Sequence, residues 1–282
     1  MLFSDAHLHV NSLRGIGAEK VARRFKREGG WFMAIIALPP YHYGFTEPTI
    51  DSYKKALNVL IGDVHKVKNE GLKVAAFMGV HPAEIEHYYR QGLRGERAFR
   101  LLEEVLKLLE TAFKEGLIQG IGEVGRPHYS TSPERAILAE VVMMRSLILA
   151  KDLGALVQLH LEQGGYATAY SIKLLVDVLK LDVSKVVIHH ASLETAKWAE
   201  ELGLLFTAPI KQFDEKYVSL KALKCMVESD FLDDPTRPGT SAYPWEIPRV
   251  ISSYVSRGLL TEDYAYKILV DNVVKYFGVE PP

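Results

Sequence analysis

Two histidines two residues apart, His7 and His9, stand in Asp5-Ala6-His7-Leu8-His9-Val10, just behind the apolar opening Met1-Leu2-Phe3-Ser4. In an extended strand, residues two apart point to the same side. Asp5, His7 and His9 then share one face, and the two imidazoles could grip a single metal ion, for which neutral imidazole is the commonest protein ligand. Taken alone, the pattern equally suits two solvated histidines on a surface strand. Ionisable residues, however, recur where other apolar runs end: His81 in Gly-Val-His-Pro, Glu123 in Gly-Ile-Gly-Glu-Val-Gly, His160 in Leu-Val-Gln-Leu-His, the pair His189-His190, and Asp230 in Met-Val-Glu-Ser-Asp. Each has a bland reading, His81 as the start of a turn at Pro82, His160 as a hydrogen-bonded core histidine, Asp230 as a turn former. Their joint placement at the ends of apolar strands is harder to obtain by accident, because in a parallel barrel those ends form the active-site face.

The set offers four imidazole ligands (His7, His9, His160 and one of His189/His190) with the carboxylates of Glu123 and Asp230, enough for two metal ions. One carboxylate can bridge both ions, while the other holds a metal and takes the proton from an attacking water, so Glu123 and Asp230 are the catalytic candidates. Paired divalent ions about 3.5–4 Å apart stabilise both the attacking and leaving oxygens of a displacement at phosphorus, and a metal brings the pKa of bound water toward neutrality. With no thiolate among the candidates, nitrogen and oxygen ligands point to Zn, Mn or Mg. Cys225 lies inside the apolar run Leu223–Val227 and reads as core; no Gly-x-Ser-x-Gly elbow and no phosphate-cradling glycine loop is present.

The elements that must position these residues alternate along the chain. Strands are expected at Leu2–His7, Trp31–Leu38, Lys73–Val80, Leu117–Gly122, Ala155–His160, Lys185–His189, Leu204–Thr207 and Leu223–Ser229, short and continuously apolar as strands buried on both faces should be. Helices are expected at Ala18–Gly30, Thr49–Gly71, Glu96–Gly116, Ser132–Gly154, Tyr166–Leu181, Leu193–Gly203 and Asp214–Leu220. Eight strand-then-helix units predict an α/β fold, a single (β/α)8 TIM barrel across residues 1–282, with an open doubly wound sheet as the alternative. Trp245–Gly258 and Thr261–Phe277 read as extra C-terminal helices, and the aromatic loop Pro39–Thr49 as either a lid or a packed connection.

The 282 residues, 48% hydrophobic and 24% charged with a net charge of −1, describe an ordinary globule without a global pull toward nucleic acid or membrane. The single cysteine excludes an internal disulfide and suits the reducing cytoplasm. Asp5 and His7 interrupt any signal-like apolar run, no segment has the length of a membrane span, and no obligate protein partner is evident.

The order of motifs resembles the TatD family of metal-dependent hydrolases within the amidohydrolase superfamily. The likeness is carried by Asp5-Ala6-His7-Leu8-His9, Gly79-Val80-His81-Pro82, Gly122-Glu123-Val124-Gly125, His160, the His189-His190 pair, Glu228-Ser229-Asp230 and the closing Asn272-to-Phe277 stretch. The resemblance implies two divalent metal ions, with His7, His9, Glu123 and Asp230 holding the first and Glu123, His160 and one of His189/His190 holding the second. It also implies that His81 faces the substrate, that Asp230 deprotonates the nucleophilic water, and that phosphoester bonds, those of DNA among them, are hydrolysed. Two departures stand out. Arg126-Pro127-His128 replaces the Leu-Asp expected after Gly-Glu-Val-Gly, and two adjacent histidines occupy the sixth strand where one is expected. Alternation along a strand lets only one of that pair point inward; alignment of Leu156–His160 with Val186–His190 favours His190, the family's His-x-x-Ser favours His189, and His190 is taken as the ligand. Arg126, Arg90, Arg94, Arg97 and Lys211, with Tyr41, Tyr43 and Tyr129, are candidates for a groove that binds single-stranded DNA. A small phosphoester, lactone, amide or phosphotriester, and a non-catalytic metal-binding barrel, are the alternatives.

Overall fold

The apolar runs become strands because helices cover one of their faces and the barrel interior the other. The computed structural model describes residues 1–282. The chain alternates β1 (Phe3–His9), α1 (Ala18–Arg27), β2 (Gly30–Ile36), α2 (Ile50–Asn69) and β3 (Lys73–Met78), then α3 (Pro82–Arg90), α4 (Gly95–Lys114) and β4 (Gly120–Gly125). It continues with α5 (Pro133–Leu153), β5 (Leu156–His160), α6 (Tyr166–Leu179), β6 (Val186–Ile188), α7 (Leu193–Glu201) and β7 (Leu205–Pro209). Last come α8 (Glu215–Ser219), β8 (Cys225–Glu228), β9 (Phe231–Leu232), α9 (Glu246–Ser256), α10 (Glu262–Tyr266) and α11 (Asn272–Phe277).

All strands are parallel in one sheet of order β8-β7-β6-β5-β4-β3-β2-β1-β9. β9 follows β8 after two residues and pairs with β1 at Leu8↔Phe231 and His9↔Leu232. One interrupted strand therefore joins both edges and closes the expected barrel. The break is held by Asp5, whose carboxylate accepts from the Ser229 amide at 2.9 Å and from the Ser229 hydroxyl, and by the Asp230 amide, which donates to the His7 carbonyl at 3.1 Å. Asp5 thus works at the barrel seam.

The helices lie on the sheet through apolar faces spaced three and four apart, as in α4, which buries Leu101, Leu102, Val105, Leu106 and Leu109. Thr49 and Ser192 cap α2 and α7 by accepting from the amides of Ser52 and Thr195. Glycine permits the close approach of the strands that carry the site. A Cβ on Gly125 would lie 1.8 Å from the His160 carbonyl oxygen, and one on Gly79 would lie 2.9 Å from the backbone carbonyl oxygen of Glu123.

Three expectations are corrected. β4 runs to Gly125 rather than stopping at Gly122, because after a register shift Val124 and Gly125 pair with Leu159 and His160. Pro82 begins a helix, α3, rather than a turn: His81 accepts from the Ala83 amide and Glu84 accepts back from the His81 amide, a reciprocal cap ahead of proline at the first helical position. The last helix is divided by a π-helical turn at Lys267–Asp271, which sets Asn272 against β8. The Asn272 side-chain amide donates to the carbonyls of Leu223 (2.9 Å) and Cys225 (2.7 Å). Asn272→Ala is expected to destabilise the protein by about 1–3 kcal/mol, since it orphans buried carbonyls. A lowered denaturant midpoint with unchanged metal content would show this; an unshifted midpoint would contradict it.

Candidate metal centre

β1 presents His7 and His9 at the mouth with their tautomers set from behind. The His7 Nδ1–H donates to Gln158 Oε1, whose amide is itself oriented by the Ala6 carbonyl at 3.2 Å. The His9 Nδ1–H donates to the Ile36 carbonyl at 3.0 Å. Both leave Nε2 lone pairs facing the site, 3.3 Å apart. Two nitrogens each about 2.0–2.1 Å from one tetrahedral zinc would lie roughly 3.4 Å apart, so this pair is spaced to share a cation.

Glu123 divides its two oxygens between two groups of imidazoles. Oε2 lies 3.3 Å from His9 Nε2 and 3.8 Å from His7 Nε2. Oε1 meets His160 Nδ1 and lies 3.3 Å from His189 Nε2. Burial alone would raise the Glu123 carboxyl, but the surrounding imidazoles, His81 and His160 foremost, outweigh it and hold the carboxyl well below the usual carboxylate range.

The expectation that only one of His189 and His190 points inward is corrected. β6 ends at Ile188, and His190 takes a left-handed backbone (φ 43°), so strand alternation does not extend to it. Both rings face the site. His189, which the alternation argument set aside, is the central one: it is fully buried, stacks on His7 at 3.5 Å, and donates from Nδ1 to Glu228 Oε2 at 2.8 Å. Its Nε2 is buried without a hydrogen-bond partner and lies 3.6 Å from Asp230 Oδ1. Burial opposes charge on His189, yet Glu228 and Glu123 outweigh it and raise its pKa well above the usual value. A place that favours positive charge so strongly suits a cation. His190 stands at the rim, Nε2 3.1 Å from His160 Nδ1, its pKa driven well down by burial, His189 and His160.

Asp230 sits in the break between β8 and β9 with φ 53°. Burial, reinforced by Glu228 and Glu123 and opposed by His189, pushes its pKa to about 6. Three sets of donor atoms each lie within 4.8 Å of one another: His7/His9/Asp230, Glu123/His160/His189/His190 and His7/His189/Glu228.

The other expected residues divide. His81 lines the cavity, and because its Nδ1 accepts from the Ala83 amide at 3.0 Å, its proton sits on Nε2, which points toward Glu123 at 3.7 Å. Arg126 does not reach the site. Its guanidinium makes two 2.8 Å bonds to Glu162 and a third, 2.9 Å, to Ser171. Arg90, Arg94, Arg97 and Tyr129 also line neither lobe of the cavity, and Tyr43 is buried, its hydroxyl accepting from the Leu38 amide. Lys211 lines one lobe, of about 480 Å³, and Tyr41 the other, of about 260 Å³. The loop Pro39–Thr49 is accordingly a packed wall of the cavity, tied down by bonds such as that of Asn11 to the His42 carbonyl. Sequence reasoning missed Gln158 and Glu228, although a polar residue inside an apolar strand was the available signal. It also missed Arg237, which brings a guanidinium to the smaller lobe 3.4 Å from His42 and sits in a loop whose course no periodicity reveals. His128, from the departing Arg-Pro-His segment, places Nδ1 3.1 Å from His160 Nε2.

The family profile described as TatD related DNase matches residues 4–278. The chain belongs to the TatD family. It is 30% identical over 279 residues, covering 98% of this chain and 96% of the relative, to an uncharacterized protein, MJ1127, of Methanocaldococcus jannaschii. Among solved structures it is similar to the TatD homologue YJJV of Escherichia coli K12, with a TM-score of 0.67 at 17% identity over 99% of this chain and 98% of that one. An organophosphorus hydrolase mutant superposes with a TM-score of 0.66 at 14% identity, covering 98% and 92%. These two structural likenesses show the shared barrel. In this TatD-family hydrolase the donor set fits a metal: convergent imidazole nitrogens, an orphaned buried Nε2 and a carboxylate placed between two groups of ligands. Glu228 accepts from His189 Nδ1 at 2.8 Å and also lies close to His7, so it would orient a ligating His189 from behind. Glu228→Gln is expected to weaken metal binding about 10–100-fold, read by competition with a chelating dye; unchanged affinity would contradict it. No helix is long and apolar enough to cross a membrane.

Proposed function

We propose that this chain is a phosphodiesterase that attacks phosphorus with water, holds two divalent cations, and takes single-stranded DNA as its substrate. The observation that carries this reading is Glu123, whose Oε2 faces His7 and His9 while its Oε1 faces His160 and His189. A carboxylate so placed suits a bridge between two ions rather than a ligand to one. His7, His9 and Asp230 would hold the first ion, and His160 and His189 the second, with His190 alongside. So many imidazoles favour Zn or Mn over Mg, which prefers oxygen. The ions supply Lewis acidity and a water acidic enough to ionise near neutral pH.

The chain's own residues do the rest. Asp230 accepts the proton of the attacking water, a role its carboxylate can take from its place on the cavity wall, 3.6 Å from His189 Nε2. His81 donates from Nε2–H to a non-bridging phosphoryl oxygen, a role its backbone-fixed tautomer permits. Arg237 and Lys211, one at each lobe, balance the charge of the phosphates. The buried single thiol Cys225 suits a cytoplasmic setting.

The test is metal analysis followed by turnover of single-stranded DNA, bis-p-nitrophenyl phosphate and a lactone panel, before and after chelation. The expected result is phosphodiester hydrolysis that is lost with EDTA and regained with Zn or Mn. Hydrolysis of lactones alone, or of nothing in the panel, would overturn the reading.

A further inference from the structure

Beside the larger metal-site lobe lies a second cavity of about 500 Å³, between the turn Ile210–Gln212 that follows β7 and helix α9. Lys211, Gln212, Ser241 and Ala242 belong to the walls of both, so a molecule seated at the metals can continue into the second cavity. The chemistry changes across that shared wall. The metal side is almost wholly polar, whereas the far side carries Phe213, Tyr243, Val250 and Tyr254. The rings of Phe213 and Tyr254 lie within 25° of parallel with centroids 6.4 Å apart, Phe213 buried beneath and Tyr254 partly exposed. Two carboxylates line the far side, and each already accepts from a backbone amide, Asp214 from Tyr217 (2.9 Å) and Glu246 from Tyr243 (2.7 Å). Their negative charge disfavours a second phosphate there. The cation stands at the waist instead, where Lys211 Nζ is held by the Gly239 carbonyl at 2.7 Å.

We infer that this second cavity is a subsite for the planar base of a nucleotide flanking the scissile phosphate. The inference rests on the phosphodiesterase reading and says where one base of its single-stranded DNA substrate would lie. The volume lies in the range of small-molecule pockets, and a neutral, flat, aromatic group is what an aromatic wall flanked by two carboxylates accepts by stacking. The deoxyribose that joins this base to the scissile phosphate passes the shared wall, where Lys211 stands within reach of the phosphate oxygens.

Thymidine 5′-p-nitrophenyl phosphate and methyl p-nitrophenyl phosphate share a leaving group and differ only in the nucleoside, so their kcat/KM ratio reports the subsite. Wild-type protein is expected to prefer the nucleoside ester by about tenfold or more, the scale of one stacked base. Tyr254→Ala should erase the preference while leaving the methyl ester's rate unchanged, and Tyr254→Phe should retain it. A preference untouched by Tyr254→Ala, or none in the wild type, overturns the subsite. Should neither ester turn over, the hydrolytic reading has failed separately, and fluorescence anisotropy with labelled hexathymidylate decides the subsite. Binding weakened about tenfold by Tyr254→Ala supports it, and equal or absent binding overturns it.

Discussion

Glu123→Gln is expected to remove bound metal and reduce phosphodiester turnover by more than about 100-fold, because the loss of a group that touches the ions should exceed the 10–100-fold loss typical of partners behind them. Glutamine keeps the volume of the side chain but offers one carbonyl oxygen and an NH2 donor. It therefore cannot present an acceptor both to the His7/His9 nitrogens and to those of His160 and His189. The amide also removes an anion that sits among five imidazoles, since His81 is a further neighbour at 3.7 Å. His189 loses one of the two carboxylates that favour its charge, so the metal-free protein should be destabilised as well. Metal content after gel filtration, turnover of bis-p-nitrophenyl phosphate and the melting temperature of the chelated protein measure the three effects. A variant that keeps two ions and turns over within tenfold of wild type would remove the bridging role.

Asp230→Asn is expected to lower kcat by about 10²–10⁴-fold, the contribution usual for a positioned proton acceptor, while the protein stays folded. Asparagine is the informative replacement because residue 230 has a left-handed backbone (φ 53°), a conformation that asparagine tolerates far better than most residues. Its Oδ1 can still approach a cation, but the amide cannot take a proton at neutral pH. Metal content should thus fall less than turnover. Single-turnover rates at saturating Mn, set beside metal content and circular dichroism, make the comparison. Equal losses of metal and rate would reduce Asp230 to a ligand, and an unchanged rate would exclude it from the reaction.

The site was legible to different depths at different positions. His7, His9, Glu123, His160 and Asp230 could be picked out because an ionisable group is conspicuous at the end of an apolar strand, and the barrel brings those ends to one mouth. His189 and His190 could not be ranked by strand alternation, since that argument holds only while the strand continues and β6 stops at Ile188. Arg126 is a groove candidate by its charge and its place after the fourth strand, but Glu162 captures its guanidinium, a contact between loop residues 36 apart in sequence. Arg237, in contrast, gains its place from the fold of the loop beyond β9. The α3 helix was overlooked although its proline and Glu84 are both start signals, because histidine is outside the usual set of capping side chains.

The sequence by itself determined the barrel, the end of it that carries chemistry and the residue types available there, because strand and helix periodicity are local properties written into each segment. Tertiary structure alone decided which oxygen of Glu123 faces which histidines, that both members of the His189-His190 pair turn inward, and that an interrupted last strand closes the ring on Asp5. Those outcomes depend on distances between segments up to about 225 residues apart, as in the Asp5–Ser229 contact, and on backbone angles at single residues, neither of which a local pattern encodes.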